Sequence, residues 1–285
     1  MNTATWGESG PVIALDTSTA AMAAAVLRGG VTLSEVQSLA ERNHSVHVIS
    51  HVKAMMSEAG VAPDELAAII VGNGPGSYTG MRIAVTAAKT LAWCWRKPLV
   101  GVSSLEAIGF GAWHRGAERV LMAGEEAFAR QEWGREREHW VLPIMDARRG
   151  QVYSAGFVCR ADGAALEDWT RFAEDGVRLM DQWVESIAER IGAEAGRLGG
   201  AAPVIWLVGD LSLHEQSAER LAALGGSLGA DVRLMPYVME GRFLAELGLK
   251  RLSAGESDDV HTFIPNYTQL TEAEVKLKAK QAGET

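Results

Sequence analysis

The chain has 285 residues, enough for two compact domains, and 47% of them are hydrophobic, enough for a substantial core. Its net charge of −9 argues against a free-standing nucleic-acid binder, which needs clustered Lys and Arg, but leaves RNA handling through a basic partner open. Cys94 and Cys159, the only cysteines, are too few for a disulfide framework or a metal cluster and suggest a reducing, cytoplasmic setting. The first apolar stretch, Val12 to Leu27, is interrupted by Asp16-Thr17-Ser18-Thr19 and is too polar to span a bilayer, so no membrane association is expected.

Pro11 to Asp16 reads as a buried strand running into a polar turn, Met22 to Leu27 as a second strand, and Val31 to Ser38 as a third after Gly29-Gly30. The alanines between Ala20 and Ala25 weaken the second, since alanine favours helix. A helix capped at Asn43 or Ser45 and stopped at Gly60 follows from the spacing of Val46, Ile49, Val52, Met56 and Ala59. Leu66 to Val71 is a short strand, and the glycine-rich loop Gly72 to Gly80 opens a second helix ending near Arg96. Leu99 to Val102 is another strand.

Trp113 to Trp140 is rich in charges of both signs and reads as an exposed helix or insertion, most simply a solvated surface segment. Strands are expected at Val141 to Met145, Gln151 to Val158 and Val204 to Val208, the first two flanking Asp146-Ala147-Arg148-Arg149-Gly150. Helices are expected over Asp181 to Ala195, Ser217 to Leu224 and Phe243 to Leu252. Gly196 to Pro203 looks like a linker, and Thr271 to Thr285 like a polar tail. No fixed-period repeat is visible, although each half offers strands, polar turns and helices.

Two places could carry chemistry. Asp16 and Ser18 sit in a turn whose hydroxyls and N–H groups could hold phosphate or, through water, a metal; the alternative is a hairpin bonding its own backbone. The loop holding Gly74, Gly76, Ser77 and Thr79 lies at a helix N-terminus, which favours anions, yet it is neither a Walker A loop nor a Rossmann fingerprint. His47 and His51 are four apart on one helical stripe with His44, a spacing that can share a metal, but no third and fourth ligand is evident and a polar stripe beside the apolar one is the simpler reading.

Several strings together resemble the bacterial TsaB (YeaZ) family. They are Val12-Ile13-Ala14-Leu15-Asp16-Thr17-Ser18-Thr19, Arg42-Asn43-His44-Ser45, Gly74-Pro75-Gly76-Ser77-Tyr78-Thr79-Gly80-Met81-Arg82, Gly101-Val102-Ser103-Ser104-Leu105, Asp146 to Tyr153, and Pro265-Asn266-Tyr267. The resemblance implies an α/β, actin-like and sugar-kinase-like fold of two related subdomains, divided here as 1–105 and 106–285. It places the charged segment 113–140 as an insertion and lets the C-terminal tail pack back on the first subdomain. It also implies a non-catalytic scaffold, with no cofactor of its own, in the complex that puts threonylcarbamoyl on the tRNA adenosine beside the anticodon. The partners are a catalytic paralogue resembling TsaD and a small ATPase resembling TsaE, which hold the metal and ATP; tRNA is met only through the complex, and a homodimer is expected of the chain alone.

The catalytic paralogue carries two metal-binding histidines four apart, where this chain has Ser104 and Ile108, which cannot replace two imidazoles. Asp16, Ser18, Gly74, Gly76, Ser77 and Thr79 are then vestigial anion-site residues. By the same resemblance the first two helices pair with a partner, and Val48, Val52, Met55, Ala84 and Ala88 are the expected contact residues. Rival readings are an ATP-dependent kinase-like enzyme using Asp16 and the glycine loop, and a metallopeptidase using His47 and His51.

Overall fold

The structure, a computed structural model, describes residues 10–39, 44–122, 138–162, 165–198 and 202–268. The first half contains β1 (Val12–Asp16), β2 (Ala21–Arg28), β3 (Val31–Leu39), α1 (His44–Glu58), β4 (Ala68–Gly72), α2 (Tyr78–Trp95), β5 (Leu99–Val102) and α3 (Ser104–Met122). The second contains β6 (His139–Asp146), β7 (Gln151–Asp162), β8 (Ala165–Leu179), α4 (Met180–Leu198), β9 (Val204–Gly209), α5 (Glu215–Ser227), β10 (Asp231–Pro236) and α6 (Gly241–Ser253).

The two halves have one topology. The first sheet runs in the order β3-β2-β1-β4-β5 and the second β8-β7-β6-β9-β10. In each, the first three strands form an antiparallel meander and the last two join parallel to the first, through helical crossovers. The β1–β2 turn and the β6–β7 turn therefore occupy equivalent places, a duplication that the sequence shows only as a faint echo. This is an arrangement of two mixed sheets with flanking helices, as the resemblance implies.

Each sheet is covered on both faces. Helices α1 and α2 pack on the first sheet around Ile13, Leu15, Val52, Met55 and Ile69; α4 and α5 pack on the second around Leu142, Val184, Ile187 and Leu207. The final helices are exchanged: α3, which ends the first half, packs on β6, β7 and β9, while α6, which ends the second, packs on β1, β2, β4 and β5. Their shared core joins Val12, Ile70, Phe110, Trp113, Trp206 and Phe243. After α6 the chain stays with the first sheet, where Asp258 donates its N–H to the Leu99 carbonyl.

Burial on both faces also explains β2. Ala21 and Ala23 to Ala25 are buried between helix layers, where small side chains fit and helix propensity is overridden.

Two sequence expectations need correction. The segment 113–140 is not an exposed insertion as a whole: Trp113 is 0% and Trp140 1% exposed, within α3 and β6. Only residues 123–137 of it lie outside the described residues. Helix α3 is hidden in the sequence by Gly109, Gly111 and Gly116, which disfavour helix in isolation. The glycines serve packing, because a Cβ on Gly111 would land on Tyr237 and Phe243, and one on Gly116 on Trp206. The second correction is the linker at Gly196 to Pro203, since α4 runs to Leu198.

Candidate functional site

The β1–β2 turn meets the loop leading into α2. Asp16 ends β1 with 0% exposure, and its Oδ1 accepts from the backbone N–H and the hydroxyl of Ser18, at 2.6 and 2.7 Å. Its Oδ2 accepts from the Ser104 hydroxyl at 2.5 Å. Ser104, the first residue of α3, is doubly tied to Gly74: its Oγ accepts the Gly74 N–H at 3.0 Å, and its own N–H donates to the Gly74 carbonyl at 2.9 Å. Burial raises the Asp16 pKa, and the donors from Ser104 and Ser18 work in the opposite direction.

The glycine loop closes on the turn backbone to backbone. The Ser77 N–H donates to the Ser18 carbonyl at 2.8 Å, and the Thr17 hydroxyl to the Gly80 carbonyl at 2.6 Å. A Cβ on Gly80 would land on the Thr17 carbonyl oxygen, and one on Gly76 on the Ser18 carbonyl, so glycine is what permits this approach. Ser77 caps α2 by accepting from the Gly80 N–H at 3.3 Å.

The N–H groups of Ser18, Gly74, Ser77 and Gly80 thus all have acceptors inside the chain. The structure brings together the residues named as anion-site candidates, Asp16, Ser18, Gly74, Gly76 and Ser77, and the N–H groups of Ser18, Gly74 and Ser77 donate to Asp16, Ser104 and Ser18; Ser77 and Thr79 are exposed. Ser104 and Ile108 are both buried: Ser104 serves Asp16, and Ile108 belongs to the core joining the halves.

The C-terminal segment borders this site. The Asn266 N–H donates to the Asn73 carbonyl at 2.7 Å, while its Nδ2 donates to Asp175 Oδ2 of β8 at 3.2 Å, so one residue touches both halves. Arg82 of α2 lies 4.3 Å from the Tyr78 ring centre and donates from Nε to the Tyr267 hydroxyl at 2.9 Å. Neither Asn266 nor Ser104 could be assigned these contacts from sequence, because their partners lie far off in the chain.

The equivalent turn of the second sheet is open. Arg148, Arg149 and Gly150 are exposed, and Asp146 is joined to His214 Nε2 at 3.1 Å. After β9, Asp210 accepts from its own neighbour Ser212, through N–H and hydroxyl, in an exposed local turn.

The expected interface residues are corrected by burial. Val48, Val52, Met55, Ala84 and Ala88 are each 0–1% exposed in the core of the first sheet, so they hold α1 and α2 to their own strands and are not a surface of the folded subunit. The sequence shows two apolar arcs on α1, and the arc through Val48, Val52 and Met55 faces inward. Among the described residues, the outward large apolar side chains on these helices are Ile49, 42% exposed, Tyr78, 47% exposed, and Trp93, 63% exposed. The His47 side chain lies outside the described residues, while His51 is partly buried on α1; among the described residues no three His, Cys, Asp or Glu side chains gather as metal ligands.

Fold and site together define a two-sheet α/β protein whose first strand turn is closed by its own glycine loop. The sequence matches the family model described as TsaD, tRNA N6-adenosine threonylcarbamoyltransferase, over residues 28–182. It is 34% identical over 265 residues to the tRNA threonylcarbamoyladenosine biosynthesis protein TsaB of Bacillus subtilis (strain 168), covering 93% of this chain and 96% of that one. A tRNA N6-adenosine threonylcarbamoyltransferase of Anaeromyxobacter sp. (strain Fw109-5) is 50% identical over 78 residues, 27% of this chain and 22% of the transferase. Among solved structures, YeaZ from Pseudomonas aeruginosa superposes with a TM-score of 0.58 at 22% identity, covering 90% of this chain and 99% of that one, and supports the fold. The chain belongs to the TsaB family of tRNA threonylcarbamoyladenosine biosynthesis proteins.

Proposed function

We propose that this chain is a non-catalytic subunit that activates a TsaD-like transferase in the complex placing threonylcarbamoyl on the tRNA adenosine beside the anticodon. The observation that supports the reading is the closed turn: Ser104 donates to the buried Asp16, and the Thr17 hydroxyl and the Ser77 N–H tie the turn to the Gly74–Gly80 loop. ATP and metal then belong to partners, the transferase and a TsaE-like ATPase, and this chain needs no cofactor. Its net charge of −9 fits a protein that meets tRNA only within the assembly. The rival kinase-like reading would require the turn and loop to separate by breaking the bonds that bury Asp16.

The outward face of α1 and α2, with Ile49 and Trp93, is the proposed contact with the transferase and, for the chain alone, with a second copy. Each helix offers an exposed large apolar side chain that such pairing would cover. Binding that favours the transferase's active arrangement would shift its population by the difference in affinity. The test is incorporation of labelled threonine into unmodified tRNA by the adenylate-forming enzyme, transferase and small ATPase, with and without this chain. Incorporation that requires the chain, together with inactivity of the chain alone, is the expected result. Incorporation unaffected by its omission, or tight Mg-ATP binding by the isolated chain, overturns the reading.

A further inference from the structure

The open β6–β7 turn holds two arginines in a conformation that arginine does not choose. Arg148 and Arg149 have φ of 66° and 54°, followed by Gly150 at 70°. The Gln151 N–H donates to the Arg148 carbonyl at 2.9 Å, which puts Arg149 and Gly150 at the centre of a tight hairpin turn. Central positions with positive φ favour Asn-Gly, Asp-Gly or Gly-Gly, and a non-glycine residue there is disfavoured unless it is Asn or Asp. Residues kept in sparsely populated backbone regions cluster at functional sites.

The charges of these arginines are also unspent. The exposed arginines Arg28, Arg160 and Arg220 each hold a carboxylate, whereas the exposed Arg82 and Arg96 have no ion pair among the described residues. Neither Arg148 nor Arg149 has an ion-pair partner among the described residues, and the nearby Asp146 carboxylate is joined to His214. On a chain of net charge −9, this tip is a pair of adjacent, exposed and unneutralised guanidinium groups.

We propose that Arg148 and Arg149 grip the phosphodiester backbone of the tRNA while the chain sits in the modifying complex, an inference that rests on the subunit role proposed above. Guanidinium groups match phosphate with paired N–H donors, and such contacts position an RNA without reading its sequence. Two contacts are too few to bind tRNA alone, in keeping with the acidic composition, but they add to binding when the partner holds the same RNA. The turn is polar and exposed throughout, which suits a phosphate backbone better than the desolvated centre of a protein interface.

The double variant Arg148→Asn and Arg149→Asn separates function from structure, because asparagine suits positive φ and should leave the melting temperature unchanged or raised. The full chain, wild type or variant, is assembled with the transferase, and tRNA binding is measured from 50 to 200 mM salt. The expected result is unchanged co-elution with the transferase, affinity weakened about tenfold, and a log–log salt slope reduced by about 1 to 2. Unchanged affinity and slope with assembly intact overturn the proposal, while the subunit reading stands. Loss of assembly by the variant also overturns it and makes the turn a protein contact. If the wild-type chain itself fails to join the transferase, the subunit reading fails and this inference falls with it.

Discussion

The β1–β2 and β6–β7 turns stand at equivalent positions in two sheets of one topology, yet the first is buried under a glycine loop and the second projects two arginines into solvent. The difference arises in the loop after the fourth strand of each sheet. After β4, glycines at 76 and 80 let the loop backbone lie on the backbone of Thr17 and Ser18, and Ser104 locks the carboxylate of Asp16. After β9, Asp210 and Ser212 bond locally, and His214 reaches Asp146 without covering the turn. One scaffold thus yields a closed structural joint in one half and an accessible tip in the other.

The largest effect that should break this asymmetry is Gly80→Ala. Its Cβ would collide with the rigid Thr17 backbone, and a loss of about 3 kcal/mol or more is expected in urea unfolding. Gly150→Ala in the open turn meets nothing within 4 Å, so only the strain of positive φ remains, about 1 kcal/mol. Equal losses at the two positions would show that the first turn is not sealed.

The seam between the halves supplies a pH-dependent test. His114 of α3 stacks on Phe243 of α6, and its Nε2 has no hydrogen-bond partner among the described residues. Burial lowers its pKa from 6.5 to about 4, with Lys250 and Arg242 adding to the lowering and Glu118 opposing it. The unfolded chain therefore takes up this proton first as pH falls. The group's contribution is fully present above about 6.5 and is lost as pH falls toward 4, by up to about 3 kcal/mol. His114→Phe should flatten the stability profile across that interval, and a profile with unchanged slope would refute the assignment.

A smaller effect sharpens the comparison of the turns. Ser104→Ala removes a donor to a buried carboxylate and the acceptor of the Gly74 N–H, and should cost about 2 kcal/mol by chemical denaturation. Asp210→Ala, in the exposed turn of the second half, should stay within about 0.5 kcal/mol. The smallest change in stability is expected for Ile49→Glu, also about 0.5 kcal/mol or less, while co-elution with the transferase is lost. Val52→Glu should instead unfold the chain, because it buries an unpaired charge against the first sheet.

Much of the framework was legible from periodicity and punctuation. The apolar runs at Val12 to Asp16, Leu99 to Val102 and Val204 to Val208 appear as strands, and the helix expected from about Gly80 is present, beginning two residues earlier at Tyr78. Helix α3 was hidden because its glycines look like breakers until Tyr237, Phe243 and Trp206 are seen pressing against them. Strand β8 was hidden as well: it pairs on one side only, at the sheet edge, and its Glu, Asp and Arg residues read as surface.

By itself, the sequence determined most of the strands and helices, apart from α3 and β8, and the presence of Asp16 and a glycine loop able to approach another backbone. These are properties of residue type and local spacing. Only the tertiary structure decided that the two arcs of α1 divide with Val48, Val52 and Met55 inward, that α3 and α6 change sheets, and that the first turn is closed while the second is open. Each of these depends on contacts between residues far apart in the chain, such as Asp16 with Ser104 across 88 positions and Thr17 with Gly80 across 63. Local propensity carries no information about such pairs, because they form only where packing of the whole fold brings the two backbones together.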